Sequence, residues 1–319
     1  MNEQKRNKIL KNPVLTDSKW YHAIEVSPGV FTKEQGYRNV ALSRELLAKT
    51  EIEGKRCLDI GAMDGMMSIL MTRRGAARVS AYDRLGKDMQ VDLTPRIDYL
   101  KAALETDFDY VNGFPLGLLS TMLDRKGIPF PFDVVLFSGV LYHMYDPMAG
   151  LAIARGMVRN GGILIVETAA MHNDQMINFF NASGIIHRGD KNYWHISDAL
   201  LDYLLRFFSL KPLDCKYYNA GKDDDGRPLI RIAIACQAME EAIPYPGDDW
   251  MVGKRHLDNK ELFDAGRLVS EEPPIKYDVG DSKSEKSTIG TVDLYNTIEN
   301  TPQLETNPSN LVLHLKDKK

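Results

Sequence analysis

Short apolar runs alternate with helical patterns between residues 55 and 238, and that alternation organises the chain. Residues 56–60 form a run of strand length ending in a glycine-containing turn, and residues 66–74 read as a helix closed by Gly75. A second strand spans 78–82 and ends at Asp83, a helix fits 95–104, and 108–111 makes a weak third strand. The strong apolar run at 132–137 precedes a helix over 147–157, and 162–168 supplies the fifth strand. Near-continuous apolar runs separated by helices predict a parallel sheet covered on both faces.

The end of this region breaks the rhythm. A helix over 197–208 leads to runs at 211–218 and 229–236, joined through the polar segment 221–226. So short a connection makes the pair antiparallel, because a parallel crossover takes about a dozen residues. The predicted fold is α/β: a Rossmann-like seven-stranded sheet, mainly parallel with a terminal antiparallel hairpin, and helices on both faces.

The flanks differ in texture. Residues 1–50 hold a polar start, a lead-in over 20–32 and an amphipathic helix with Val40, Leu42, Leu46 and Leu47 as core candidates. The expected organisation is a lead-in or lid at 1–50, a main domain at 51–238 with an insertion at 170–192, and a polar extension at 239–319. The extension carries Pro244, Pro246, Pro273 and Pro274, a weak helical pattern at 259–268 and a solvated or disordered run at 281–287. Its apolar segment 311–315 is expected either to dock as an extra strand or mediate homodimer contact, or else to fray.

Composition narrows the class. Hydrophobic residues at 44% and charged residues at 26% exclude disorder of the whole chain. A net charge of −4 offers no general attraction to phosphate backbones, so a nucleic-acid partner needs a local basic patch; only Lys5, Arg6, Lys8 and Lys11 make a weak one. Cys57, Cys215 and Cys236 are scattered, which fits small buried hydrophobes rather than disulfides or zinc. Neither a signal-peptide core nor a run of roughly 18 apolar residues is found, so a cytoplasmic protein without membrane partners is expected.

The sharpest local signal is Asp59-Ile60-Gly61-Ala62-Met63-Asp64-Gly65, placed where the first strand hands over to the first helix. Open parallel sheets bind ligands outside the carboxyl ends of their strands. Gly61 lets the chain turn sharply beside a ligand, and Gly65 lets the helix start pack closely. Asp83 ends the second strand, where a carboxylate can accept both hydroxyls of a ribose. A phosphate-cradling Lys-Ser/Thr loop is absent. Met63, where glycine is common, suits a ligand without a pyrophosphate and so favours S-adenosylmethionine (SAM) over a dinucleotide.

The run 58–65, followed by Arg73-Arg74-Gly75-Ala76, resembles class I SAM-dependent methyltransferases. More narrowly it resembles the branch related to tRNA wobble-uridine methyl- and carboxymethyltransferases and their small-molecule relatives. Phe137-Ser138-Gly139-Val140-Leu141-Tyr142-His143, Asp146-Pro147, Val166-Glu167-Thr168 and Asn192-Tyr193-Trp194-His195-Ile196-Ser197 carry it further, over roughly residues 18–238. The resemblance implies that Gly61, Ala62, Met63 and Gly65 line SAM, and that Asp83, with Arg84 beside it, holds the ribose. It further implies that Ser138, Gly139 and Val140 border the methionine end, that Asp59 orients the turn and that Asp64 approaches the cofactor. The chain departs from the pattern at Met63, and it lacks an evident basic cluster for a carboxylated SAM or a tRNA.

Methyl transfer needs the acceptor aligned, water excluded and, for some acceptors, a proton removed. His143 is the first choice of base, since imidazole titrates near neutrality; the bland alternative is a loop histidine that caps or packs. Tyr142 and His195 are further catalytic candidates. Trp194 and Thr168 are candidate substrate contacts, with Glu167 second-rank beside them, and Ser197 is the expected N-cap of the following helix. Trp20, Tyr21 and His22 either form a lid over the acceptor or staple the lead-in to the sheet. No histidine has ligand spacing, so no metal is expected. The leading expectation is transfer of a methyl group to O, N or C of a small-molecule acceptor, with secondary metabolism as a candidate setting. The alternatives are a tRNA wobble-uridine enzyme and a non-catalytic nucleotide-binding scaffold.

Overall fold

A strand buried on both faces tolerates few polar interruptions, and β3 (Arg56–Ile60) meets that demand, with Cys57, Leu58 and Ile60 buried. The computed structural model describes residues 3–17, 19–86, 91–181, 192–223, 226–240, 294–305 and 311–317. The chain divides into two units, Met1–Leu136 with Glu305–Lys319, and Phe137–Leu304.

In the first unit, α1 (Glu3–Leu10) and α2 (Pro13–Asp17) precede β1 (Ala23–Ser27), β2 (Val30–Phe31) and α3 (Asn39–Ala48). Then come β3, α4 (Met66–Arg73), β4 (Arg78–Asp83), α5 (Thr94–Leu104), β5 (Asp109–Asn112), α6 (Leu119–Arg125) and most of β6 (Phe132–Ser138). The strand order is β6-β3-β4-β5, and β3, β4 and β5 run parallel, as the alternation predicts. Ile60 lies opposite Tyr82, so β3 and β4 end side by side. Ile69 of α4 and Ile97 and Leu100 of α5 are wholly buried, the apolar stripes that hold these helices to the core. The helix α6 escapes a sequence reading because it is short and turns only Leu119 and Leu123 into the core.

The lead-in and the far end of the chain meet in a small sheet. The strand β12 (Val312–Leu313) pairs in parallel with β1, and β2 pairs antiparallel on the other side. Within the apolar segment 311–315, Val312 and Leu313 thus dock as a strand, one of the three outcomes open to that segment.

The second unit holds α7 (Pro147–Met157), β7 (Val158–Met171), β8 (Asn178–Phe180), β9 (Trp194–Ser197), α8 (Asp198–Phe207), β10 (Leu210–Lys222), β11 (Pro228–Ala238) and α9 (Leu294–Asn300). The predicted terminal hairpin is β10–β11, antiparallel with Tyr217 opposite Ile232, and β11 pairs antiparallel with β7. Two differences from the sequence reading have one cause. The strand β7 is longer than 162–168, and residues 194–197 form a strand rather than an irregular approach to α8. Both follow from pairing partners far away in sequence, β11 along β7 and β8 and β7 beside β9. Asp146 and Ser197 cap α7 and α8, their side chains accepting the amides of Ala149 and Leu200.

The three cysteines are buried and unpaired with one another, and burial pushes the Cys57 and Cys215 thiols up to about 12. No helix among the described residues is long and apolar enough to cross a membrane. The weak helical pattern at 259–268 and the polar run at 281–287 lie outside the described residues.

Candidate functional site

The turn after β3 bends through three left-handed residues, Gly61 at φ 82°, Met63 at φ 47° and Gly65 at φ 75°. Glycine meets that demand freely at two of them; Met63 does so against its side chain. Asp83 supplies the compensation. Its Oδ2 accepts the Met63 amide at 2.9 Å, and its Oδ1 accepts the Leu85 amide at 2.9 Å. Two amides of the turn, Gly61 and Ala62, donate to the Tyr82 carbonyl at 2.8 and 3.0 Å. The turn is thus sewn to the tip of β4. A methyl group at Gly65 would come within 3.0 Å of Ile97 Cδ1 and Phe108 Cζ, so the helix start packs as closely as the sequence suggests.

The carboxylates around this turn do different work. Asp59 accepts Ser68 Oγ at 2.6 Å, tying β3 to the first turn of α4, and burial lifts its carboxyl to about 6. Asp83 is also raised by burial, against the pull of the Leu85 and Met63 amides. Asp64 is wholly buried, pairs with Arg96 at 3.2 Å and accepts the backbone amides of Tyr21 and His22. Arg84 is exposed and Ala62 buried.

Through Asp64 the lead-in is fastened to the turn, but its three aromatic residues diverge. Trp20 is buried, donates its indole N–H to the Leu15 carbonyl and packs on Tyr99 with ring centroids 5.9 Å apart. Tyr21 instead pairs with Tyr37 at 4.5 Å, and its edge meets His22 at 4.9 Å. His22 is buried with its Nδ1 unmatched, and burial lowers its imidazole to about 4 despite the nearby Asp64.

In the second unit, Glu167 on β7 is wholly buried and ion-paired with Arg231 of β11 at 2.6 Å. Ser138 Oγ donates to Glu167 at 3.3 Å, and the Gly139 amide donates to the Glu167 carbonyl at 3.0 Å. Arg231 also lies 4.6 Å over the Tyr142 ring and donates to its hydroxyl at 3.5 Å. Burial alone would lower the guanidinium, but Glu167 and Tyr142 hold it above its ordinary value. A methyl group at Gly139, at φ 72°, would face Glu167 Oε2 at 3.6 Å and the Tyr142 hydroxyl at 3.8 Å. Arg231 was not singled out from the sequence; the signal was its place as the lone charge in the apolar run 229–236.

Beside this cluster stands an aromatic surface. His143 is exposed, with its ring 4.1 Å from Tyr142, in the short helical turn Leu141–His143. Tyr145, 74% exposed, pairs with Tyr193 at 4.5 Å, and its carbonyl accepts the Trp194 indole N–H at 2.9 Å. Trp194 in turn meets the exposed Phe180 at 5.0 Å. The Tyr193 amide donates to the Tyr142 carbonyl at 2.9 Å, which locks the two loops together. His195 and Thr168 are buried, and Thr168 Oγ1 donates to the Ala169 carbonyl at 3.2 Å. Val140 is half-buried. Tyr145, Tyr193 and Phe180 were not marked as site candidates, because isolated aromatic residues in loops carry no periodic signal. Among the described residues no group of three or more His, Cys, Asp or Glu could hold a metal ion.

The family description that fits the chain is "Methyltransferase domain", matched over residues 32–207. A tRNA U34 carboxymethyltransferase of Alteromonas mediterranea is 28% identical over 173 residues, 52% of this chain and 48% of the relative. A ubiquinone biosynthesis O-methyltransferase of Cereibacter sphaeroides is 33% identical over 125 residues, 39% of this chain and 45% of the relative. The chain thus matches about half the length of these curated relatives. Among solved structures, the N-terminal domain of EvdMO1, crystallised in the presence of SAH and D-fucose, aligns with a TM-score of 0.51. It shares 16% identity and covers 75% of this chain and 98% of its own, a likeness of fold.

Proposed function

The chain belongs to the methyltransferase-domain family, and from that premise we propose that it transfers a methyl group from SAM to a small-molecule acceptor. The observation that carries the reading is the turn 61–65 pinned to Asp83 at the adjoining ends of β3 and β4. The residues there suit an adenosine. Asp83 accepts the Met63 and Leu85 amides on its two oxygens and is also met by the Arg84 amide; a carboxylate has about four lone-pair sites, so acceptor capacity is left for a ribose hydroxyl. The left-handed residues at 61, 63 and 65 carry the backbone around that carboxylate. Asp83 would hold the ribose, the backbone of the turn would pass close beside the nucleoside, and Asp64 would keep the lead-in beside them. SAM supplies an electrophilic methyl group when bound.

Within the second unit, the aromatic surface of Tyr145, Tyr193, Trp194 and Phe180 would supply contacts for a compact acceptor. His143 would take the proton of a hydroxyl or amine acceptor as the new bond forms, and Tyr142 would orient it. Glu167 and Arg231 neutralise each other in the interior and keep the Tyr142 hydroxyl in place.

The tRNA reading has tRNA U34 carboxymethyltransferases among the relatives in its favour, matched over 48% and 34% of their lengths. A net charge of −4 weighs against a polyanionic acceptor, since phosphate neutralisation supplies most of such affinity. Incubation with methyl-labelled SAM in the presence of both a small-molecule extract and total tRNA separates the two. Label in small molecules is the expected result; label only in tRNA would overturn the choice of acceptor.

A further inference from the structure

The far end of the chain has no assigned role, yet it makes a dense set of contacts with one segment. Val312 and Leu313 pair in parallel with Ala23 and Ile24, and Leu313 is wholly buried. Arg44 donates to the Val312 carbonyl and pairs with Asp317 at 3.2 Å. Arg73, in the last turn of α4, donates to the His314 carbonyl at 2.8 Å. Glu25 on β1 accepts the Leu315 amide at 2.9 Å, and the His314 ring meets the edge of Phe31 at 5.7 Å. At Gly36 the approach is so close that a methyl group would lie 1.9 Å from the Leu311 carbonyl oxygen.

What this segment holds down is the strand that leads directly into the Asp64 clamp. His22, whose amide Asp64 accepts, immediately precedes Ala23, the first residue paired with the tail. Without β12, the five-residue β1, though packed on helices, would keep only the two-residue β2 as a strand partner, and so short a pairing adds little order of its own. The order of Tyr21 and His22 beside the cofactor turn therefore depends on residues almost 300 positions away in sequence.

We infer that residues 311–317 are a strap that positions the cofactor turn: by completing the β1 sheet they hold the lead-in on Asp64 and so raise affinity for SAM without touching it. The inference rests on the assignment of the turn to SAM. Two forms of the protein test it. In the full chain, Gly36→Ala displaces Leu311 while leaving every side chain of the turn intact. A chain ending at Glu305 removes the strap outright, and a synthetic peptide of residues 306–319 returns it.

Two readouts apply, SAH affinity by calorimetry and hydrogen exchange at the Tyr21 and His22 amides. Gly36→Ala and the shortened chain should each bind SAH roughly tenfold more weakly, within the range of ordinary site-to-site coupling. The amides of Tyr21 and His22 should exchange faster in both, and the peptide should restore affinity to the shortened chain. A merely structural role would speed exchange across the whole first unit rather than selectively at the Tyr21 and His22 amides. Unchanged exchange at both amides overturns the strap whatever the ligand. Unchanged SAH affinity with faster exchange overturns its link to the cofactor. If the full chain itself fails to bind SAH, the assignment of the turn falls and this inference falls with it.

Discussion

Asp64, wholly buried between Met63 and Gly65, accepts the backbone amide of His22 at 2.8 Å. One carboxylate thereby joins the lead-in to the turn that ends β3, while its other oxygen pairs with Arg96. Replacing it by alanine strands two backbone donors and a guanidinium, and breaking a buried pair from one side costs about 3–5 kcal/mol. Asp64→Ala should therefore lower the stability measured by urea unfolding by several kcal/mol, with Asp64→Asn losing less. A loss below about 1 kcal/mol would show that the clamp is not needed.

Much of this architecture was legible in sequence. The runs at 56–60, 78–82 and 132–137 and the helices after them are local patterns, and the polar stretch at 221–226 betrayed the antiparallel hairpin. What escaped were features made by distant partners. Asp64 reads as a residue approaching the cofactor, because nothing local says that its carboxylate is taken by residues 21, 22 and 96. Trp20 reads as one group with Tyr21 and His22, yet its ring turns to Tyr99 on α5. Pairing of β12 with β1 spans nearly the whole chain, and nothing local to 311–315 distinguishes docking as a strand from dimer contact or fraying.

The Glu167–Arg231 pair makes a second prediction. Glu167→Ala leaves a buried guanidinium uncompensated and should destabilise by about 3–5 kcal/mol. Removing both charges together, as in Glu167→Ala with Arg231→Met, should cost clearly less than the sum of those two single changes. Chemical denaturation of the four chains checks this; additive losses would mean the two groups act independently.

His22 sets a pH dependence. Burial lowers its folded-state pKa to about 4 from an ordinary 6.5, so the unfolded chain binds the proton first. Its contribution is present above about pH 6.5 and is lost as pH falls towards 4, amounting to about 3 kcal/mol. Asp59 works in the opposite sense: its carboxyl, raised to about 6, favours the folded state at low pH and loses that contribution as pH rises through its folded value. Comparing the intact chain with His22→Asn isolates the histidine, because Asp59 is common to both. The gap in stability between them should shrink as pH drops from 6.5 to 4; a constant gap would contradict a neutral buried imidazole.

The account turns on Asp83 and the bend it organises, and titration of SAH into the intact chain and into Asp83→Ala measures that most directly. The intact chain should bind SAH, and the variant should bind more weakly by about 1–3 kcal/mol, the cost of stranding hydrogen-bonding groups. Equal affinity in the two chains, or no binding by the intact one, would contradict it.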